Sequence, residues 1–233
     1  MAELVVALDF PDAGRALGMA RTLAGAAPWI KVGLELFTAE GPALVRELKA
    51  MDFKLFLDLK FMDIPNTVQG AARSAARLGV DMVNIHALGG ERMARAAMAG
   101  CVEGTPEGRE RPLLLAVTIL TSMAAGELPV PGAPGPSEMA LDLAGKAKQY
   151  GLDGVVCSGL EVAAVKASCG AGFIGLTPGI RPASSGGDDQ RRVVTPAQAV
   201  RNGADYLVVG RPVIGSASPR EAALAIIGEM RSV

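Results

Sequence analysis

Lys54-Leu-Phe-Leu-Asp-Leu-Lys60, then Pro65 to Leu78 closed by Gly79-Val-Asp81, then Met82-Val-Asn-Ile-His86, reads as strand, helix, strand. A strand alternates faces with period two, so Asp58 and Lys60 share a face with Phe56, while Leu55, Leu57 and Leu59 point the other way. Pro65 opens the helix at a position where its missing N–H costs nothing. Gly79 supplies the left-handed residue that ends it. A carboxylate and an ammonium on one face of a buried strand are expensive unless something uses them. A structural ion pair at a strand end is the bland alternative.

The same alternation runs the length of the chain. Further strands are expected at Leu4–Asp9, Trp29–Gly33, Leu113–Leu120, Gly154–Cys157, Phe173–Thr177 and Tyr206–Gly210. Helical patterns fall at Ala13–Ala26, Pro42–Met51, Glu91–Gly100, Pro136–Tyr150, Thr195–Asn202 and Pro219–Met230, with a weaker one at Leu160–Ser168. Tyr-Gly-Leu-Asp153 and Asn-Gly-Ala-Asp205 repeat the terminator seen at Leu-Gly-Val-Asp81. Eight strands in strict alternation with helices call for a parallel sheet, and eight is the number that closes a (β/α)8 TIM barrel. The expectation is an α/β protein with a single barrel domain over residues 1–233. A doubly wound open sheet is the alternative, weakened because no Gly-x-Gly-x-x-Gly follows the first strand.

Composition narrows the function. With 23 basic and 24 acidic residues and 4% aromatics, there is no basic stripe, so no nucleic-acid partner is expected. Apolar runs such as Leu113–Val117 are too short to span a membrane, and the acidic N-terminus runs straight into a strand, unlike a signal peptide. Cys101, Cys157 and Cys169 form no C-x-x-C pair, which suggests reduced thiols in the cytoplasm. His86 is the one histidine, which removes multi-histidine zinc sites. It reads as a packing residue, although at a strand end it could titrate near neutrality. Two Gly/Pro-rich stretches, Thr121–Pro136 and Pro178–Val194, follow strands at the face where barrel active sites sit and read as lids or binding loops, with a tolerated surface insertion as the alternative, above all for the first.

Inward residues at the C-terminal strand ends meet at the barrel mouth. Asp9 on the first strand, Lys31 on the second, and Asp58 and Lys60 on the third make an alternating row of minus, plus, minus, plus. Taken singly, Lys31 could be a snorkelling lysine and Asp9 a helix cap ahead of Pro11. A second site lies at strands seven and eight, where Thr177-Pro-Gly-Ile-Arg181 and Val208-Val-Gly-Arg-Pro212 leave the sheet. Barrels commonly hold a phosphate in this corner. Gly210 would let the backbone approach the anion, and Arg211 could grip it with two N–H donors.

The string Asp58-Leu-Lys-Phe-Met-Asp-Ile-Pro-Asn-Thr67, with Ala7-Leu-Asp9, Lys31-Val-Gly33, Leu120-Thr-Ser122, Thr177–Arg181, Asp189-Gln190 and Gly210-Arg211, closely resembles the bacterial type of the orotidine 5′-phosphate decarboxylase family. The matches span nearly the whole chain in the right order. The resemblance implies a dimeric barrel that converts orotidine 5′-phosphate to uridine 5′-phosphate and CO2, the last step of de novo pyrimidine synthesis, without metal or organic cofactor. It implies Lys60 as proton donor, with Asp58, Lys31 and Asp63 completing the charged array. Asp63, Ile64 and Thr67 would reach into the partner's site. Asp9 and Lys31 would contact the ribose, Thr121 the pyrimidine, and Gln190, Arg181, Gly210 and Arg211 the phosphate. The chemistry of the residues agrees: loss of CO2 from a pyrimidine C6 leaves an in-plane carbanion, which placed charge must stabilise and a nearby acid must quench. Two rivals remain. One is a Mg²⁺-dependent sugar-phosphate decarboxylase or hexulose-phosphate synthase of the same barrel group, which also carries a D-x-K-x-x-D strand end. The other is a non-catalytic nucleotide-binding barrel.

Overall fold

In the computed structural model, residues 1–124, 126–127, 134–182 and 193–233 are described. Eight parallel strands close on themselves in the order β1 to β8. They are β1 (Glu3–Ala7), β2 (Trp29–Gly33), β3 (Lys54–Phe61), β4 (Met82–His86), β5 (Leu113–Val117), β6 (Gly154–Val156), β7 (Ile174–Thr177) and β8 (Tyr206–Val209). The helices between them are α1 (Ala13–Leu23), α2 (Leu34–Ala50), α3 (Pro65–Arg77), α4 (Gly90–Gly104), α5 (Pro136–Gln149), α6 (Val162–Cys169) and α7 (Pro196–Arg201). A short α8 (Arg211–Ile214) and a final α9 (Pro219–Arg231) follow β8. The closed barrel is the expected architecture, and the open-sheet alternative falls with it.

Period two sorts the side chains into two cores. Val5, Ala7, Trp29, Phe56, Met82, Leu115, Leu176 and Val208 fill the barrel interior. The intervening Leu4, Val6, Ile30, Val32, Leu55, Leu57, Val83 and Ile85 pack outward against the helices. One contact in the helix layer depends on glycine: a Cβ at Gly100 or Gly104 of α4 would fall on the carbonyl oxygens of Gln69 and Arg73 in α3.

The helix terminators behave as the sequence suggests, with Gly79, Gly151 and Gly203 at φ 74°, 85° and 93°. The aspartate two residues later has its own task, which the pattern did not disclose. The carboxylate of Asp81 accepts the Leu55 N–H of β3 at 2.7 Å and Lys49 at 2.6 Å. Asp153 accepts the Leu114 N–H of β5 and a bidentate Arg111, all at 2.7 Å. Asp205 accepts the Gly175 N–H of β7 at 2.7 Å and Lys166 at 2.6 Å. Three clamps of one design thus tie β4, β6 and β8 each to its predecessor at the N-terminal face, the end of a barrel that serves stability.

Several boundaries differ from expectation at the C-terminal strand ends. β1, β5 and β8 stop two, three and one residues early, at Ala7, Val117 and Val209. The hydrogen bonding runs one residue beyond the ladder, as in Leu8 N–H to Lys31 O at 3.0 Å and Thr118 N–H to Val156 O at 3.1 Å. The expected Pro42–Met51 helix is the second half of α2, which begins at Leu34 and kinks at Gly41, φ 64°. Gly41-Pro42 reads as a start signal and hid the preceding turns.

Candidate active site

Side chains from β1, β2 and β3 converge at the mouth. Asp9 leaves β1, Lys31 lies on β2, and Asp58 and Lys60 lie on β3, with Gly33 of β2 directly beside Asp58. Lys31 Nζ is 3.0 Å from Asp9 Oδ1 and 3.4 Å from Asp58 Oδ2. Lys60 Nζ is 2.6 Å from Asp58 Oδ1. The expected alternating row therefore forms as a continuous chain of contacts. Asp9 is no helix cap: Asp12 caps α1 by accepting the Arg15 N–H. Lys31 does not snorkel, being only 7% exposed.

Burial works against both inner charges, and pairing overcomes it. Burial alone would pull Lys31 down, but Asp58 and Asp9 outweigh it, and the ammonium ends above the ordinary lysine range. Burial alone would raise Asp58, but Lys31 and Lys60, with hydrogen bonds from Lys60 and Asn84, hold it below the ordinary carboxylate range. Both groups are therefore charged at neutral pH. Gly33 makes room for this: a Cβ there would lie 2.8 Å from Lys31 Nζ.

Asn84 escaped the sequence reading. It is wholly buried on the inward face of β4. Its Nδ2 donates to Asp58 Oδ1 at 2.7 Å, and its Oδ1 accepts the Lys60 N–H at 2.8 Å. The available signal was a polar residue at an inward position of an otherwise apolar strand. His86, two residues on, is half-buried, with Nδ1 lacking a hydrogen-bond partner among the described residues. Burial, and then the Lys60 charge, push its pKa below the ordinary imidazole value despite the opposing effect of Asp58.

The charged row forms one wall of a cavity of about 270 Å³ open at the mouth. Thr121 lines it after β5, Arg181 after β7, and Gly210 and Arg211 after β8, beside apolar Ile119, Leu176 and Val208. The stem of the β7 loop is pinned next to Arg181, whose N–H donates to Val194 O at 2.9 Å. Gln190 lies outside the described residues, as does part of each Gly/Pro-rich loop. Asp63, Ile64 and Thr67 do not line this cavity. They are exposed on the rim at the start of α3, Ile64 by 67%. Among the described residues, no group of three or more His, Cys, Asp or Glu side chains is placed to hold a metal ion, and no helix is long and apolar enough to cross a membrane.

Comparison with known proteins agrees with this layout. The model of the orotidine 5′-phosphate decarboxylase / HUMPS family matches residues 2–226. The chain is 60% identical over 232 residues to an orotidine 5′-phosphate decarboxylase of Maridesulfovibrio salexigens, covering 100% of both chains. It is 61% identical over 238 residues to one of Nitratidesulfovibrio vulgaris, covering 100% of this chain and 99% of the relative. The crystal structure of orotidine 5′-phosphate decarboxylase from Lactobacillus acidophilus superposes with a TM-score of 0.86 at 38% identity, covering 99% of each chain.

Proposed function

The chain belongs to the orotidine 5′-phosphate decarboxylase / HUMPS family, and from that premise we propose that it converts orotidine 5′-phosphate to uridine 5′-phosphate and CO2, closing de novo pyrimidine synthesis. The observation that carries this reading is the contact chain Asp9–Lys31–Asp58–Lys60 along one wall of a cavity that Arg181 and Arg211 also line. The Mg²⁺-dependent members of the same barrel group are the reading to exclude, and full-length identity near 60% to proteins named as the decarboxylase argues against them.

In this reading Arg181, Gly210, Arg211 and Gln190 hold the phosphate, Asp9 and Lys31 the ribose, and Thr121 the pyrimidine. The C6 carboxylate then faces Asp58 and Lys60. As the bond from C6 to the carboxylate breaks, its electron pair stays on C6 in the ring plane. The Lys60 ammonium stabilises that charge and then gives its proton to C6, forming the C–H bond of the product and regaining a proton from water. Asp58 holds the ammonium in place and disfavours the substrate carboxylate beside it. Phosphate binding away from the reacting carbon supplies energy that is realised in the transition state. No metal or organic cofactor enters these steps.

Asp63, Ile64 and Thr67 complete the partner's site in a homodimer. Their exposure on the rim, outside their own cavity, supports this. Asp63 lies three residues past Lys60, already in the turn. The enzyme is cytoplasmic, in keeping with three buried free cysteines.

Ultraviolet monitoring of orotidine 5′-phosphate with purified protein tests the reading. Turnover is expected, unchanged by exhaustive chelation, and Lys60→Ala should abolish it by many orders of magnitude while the fold and nucleotide binding persist. Absence of turnover, or turnover lost on chelation and restored by Mg²⁺, would overturn the proposal. Lys60→Ala retaining activity within about tenfold of wild type, a loss under ~1.4 kcal/mol, would remove its role as acid.

A further inference from the structure

The backbone of β3 is irregular where the chemistry is placed. Opposite β4 its register runs Phe56 to Met82 and Leu57 to Val83, then jumps to Phe61 against Ile85. Two more residues are spent on β3 than on β4 across this step, and Lys60 sits among them at φ 51°. A non-glycine residue in the left-handed region is strained and persists only where its surroundings impose it. Asn84 is placed to impose it. Its Oδ1 accepts the Lys60 N–H at 2.8 Å, and its Nδ2 fixes Asp58 Oδ1 at 2.7 Å, the same oxygen that Lys60 Nζ reaches at 2.6 Å. One buried amide thus holds both the main chain of Lys60 and the carboxylate that its ammonium touches. The amide orientation follows from chemistry: only oxygen can face an N–H donor, and only NH2 can face a carboxylate.

We propose that Asn84 is a positioning residue for the decarboxylation, holding Lys60 and Asp58 in register with each other through the bulge of β3. The inference rests on the decarboxylase reading above. Asn84 touches no substrate and acts through the other two side chains. A mere filler of the barrel interior would tolerate an apolar or smaller residue with a loss of stability alone. A positioning residue would lose turnover first, because displacing a reacting group by about 1 Å costs on the order of 100-fold.

Asn84→Ala and Asn84→Asp, assayed beside wild type, test this. Asn84→Ala should lower kcat on the order of 100-fold, with uridine 5′-phosphate affinity held within about threefold, since the phosphate and ribose contacts lie elsewhere. Asn84→Asp is nearly isosteric and guards against misfolding of the alanine variant. It places a second carboxylate against Asp58, so the two must share a proton, as close acid pairs do. While that proton is present, residue 84 still donates to Asp58 and accepts from Lys60. The kcat of Asn84→Asp should therefore be highest at acid pH and fall as the shared proton leaves, a limb that wild type lacks. Nearby charges are Asp58, Lys60 and Lys31, with His86 on the same strand. His86 is common to both proteins, so its titration cancels in the comparison. An Asn84→Asp kcat profile parallel to wild type, or an Asn84→Ala kcat within about threefold of wild type, overturns the inference. Absence of turnover in wild type would instead overturn the parent reading.

Discussion

Gly33→Ala isolates how tightly the charged row is built. Gly33 has φ −98° and ψ −174°, an extended conformation that alanine adopts without strain, so the backbone should tolerate the change. The new Cβ would lie 2.8 Å from Lys31 Nζ and 3.5 Å from Asp9 Oδ1. Ordinary contact needs roughly 3.5 Å, so the ammonium must retreat by about 0.7 Å. Moved that far from Asp58, now 3.4 Å away, it loses about 0.8 kcal/mol of attraction at an effective dielectric near 20. The Asp9 pair adds less, because that carboxylate is half-exposed and screened. A total of about 0.8–1.4 kcal/mol corresponds to roughly 4- to 10-fold in kcat/KM. Orotidine 5′-phosphate turnover measured with a thermal melt distinguishes this from unfolding: kcat/KM should fall while Tm drops by only a few degrees, about 2–4 °C per kcal/mol for a chain of this size. A variant within about 1.5-fold of wild-type kcat/KM would refute the claim that the Lys31 position is sterically set.

Arg211→Ala should cost on the order of 2–5 kcal/mol in kcat/KM for the nucleotide and little for the phosphate-free nucleoside; equal losses for both would place Arg211 away from the phosphate. Mixed subunits test the shared site: if Lys60→Ala and Asp63→Ala are each nearly inactive, mixing with proven exchange should restore about one quarter of wild-type activity, because half the dimers are mixed and half of their sites intact. No recovery would put both residues in one subunit's site. His86 has a lowered pKa in the fold, so below the unfolded value of about 6.5 the unfolded chain binds a proton that the folded chain refuses. Stability should therefore fall from pH 7 towards pH 5.5 more steeply in wild type than in His86→Leu, by less than the one-proton ceiling of about 1.4 kcal/mol per pH unit; parallel melting curves would refute it.

Reading β3 by period two succeeded for a reason that the sequence itself conceals. The strand carries a register jump against β4, but the jump spans an even number of residues. Parity is preserved, so Asp58 and Lys60 stay on the cavity side, while Leu59 and Phe61 pack with the outer core. An odd insertion would have reversed Lys60. The left-handed φ of Lys60 leaves no mark on periodicity, and Asn84 shows only as a polar residue at an inward position, where an amide is compatible with many local bonds. The same limit applies at the other face. Gly79, Gly151 and Gly203 were legible because a helix end demands a left-handed residue, whereas Asp81, Asp153 and Asp205 act across strands that are distant in sequence. The row of four charges was legible once the barrel was granted, because closure makes β1, β2 and β3 neighbours.

The charged groups at the two ends of the barrel follow different rules. At the N-terminal face each clamp closes on itself: Asp81, Asp153 and Asp205 meet one cation and one main-chain N–H. At the mouth the charges share partners in series, so Lys31 divides itself between Asp9 and Asp58, and Asp58 between Lys31 and Lys60. Two negative and two positive charges balance, which is how Lys31 and Asp58 tolerate exposures of only 7% and 8%. The series ends at Lys60, whose Nζ has Asp58 on one side and the cavity on the other. In the proposed reaction, an arriving carboxylate or developing carbanion would meet that end of the series, oriented and backed by Asp58 and Asn84. On that proposal, reorganisation that water would otherwise perform during the reaction would be completed during folding. The clamps at the opposite end supply stability apart from the mouth, where strain such as the left-handed Lys60 is carried.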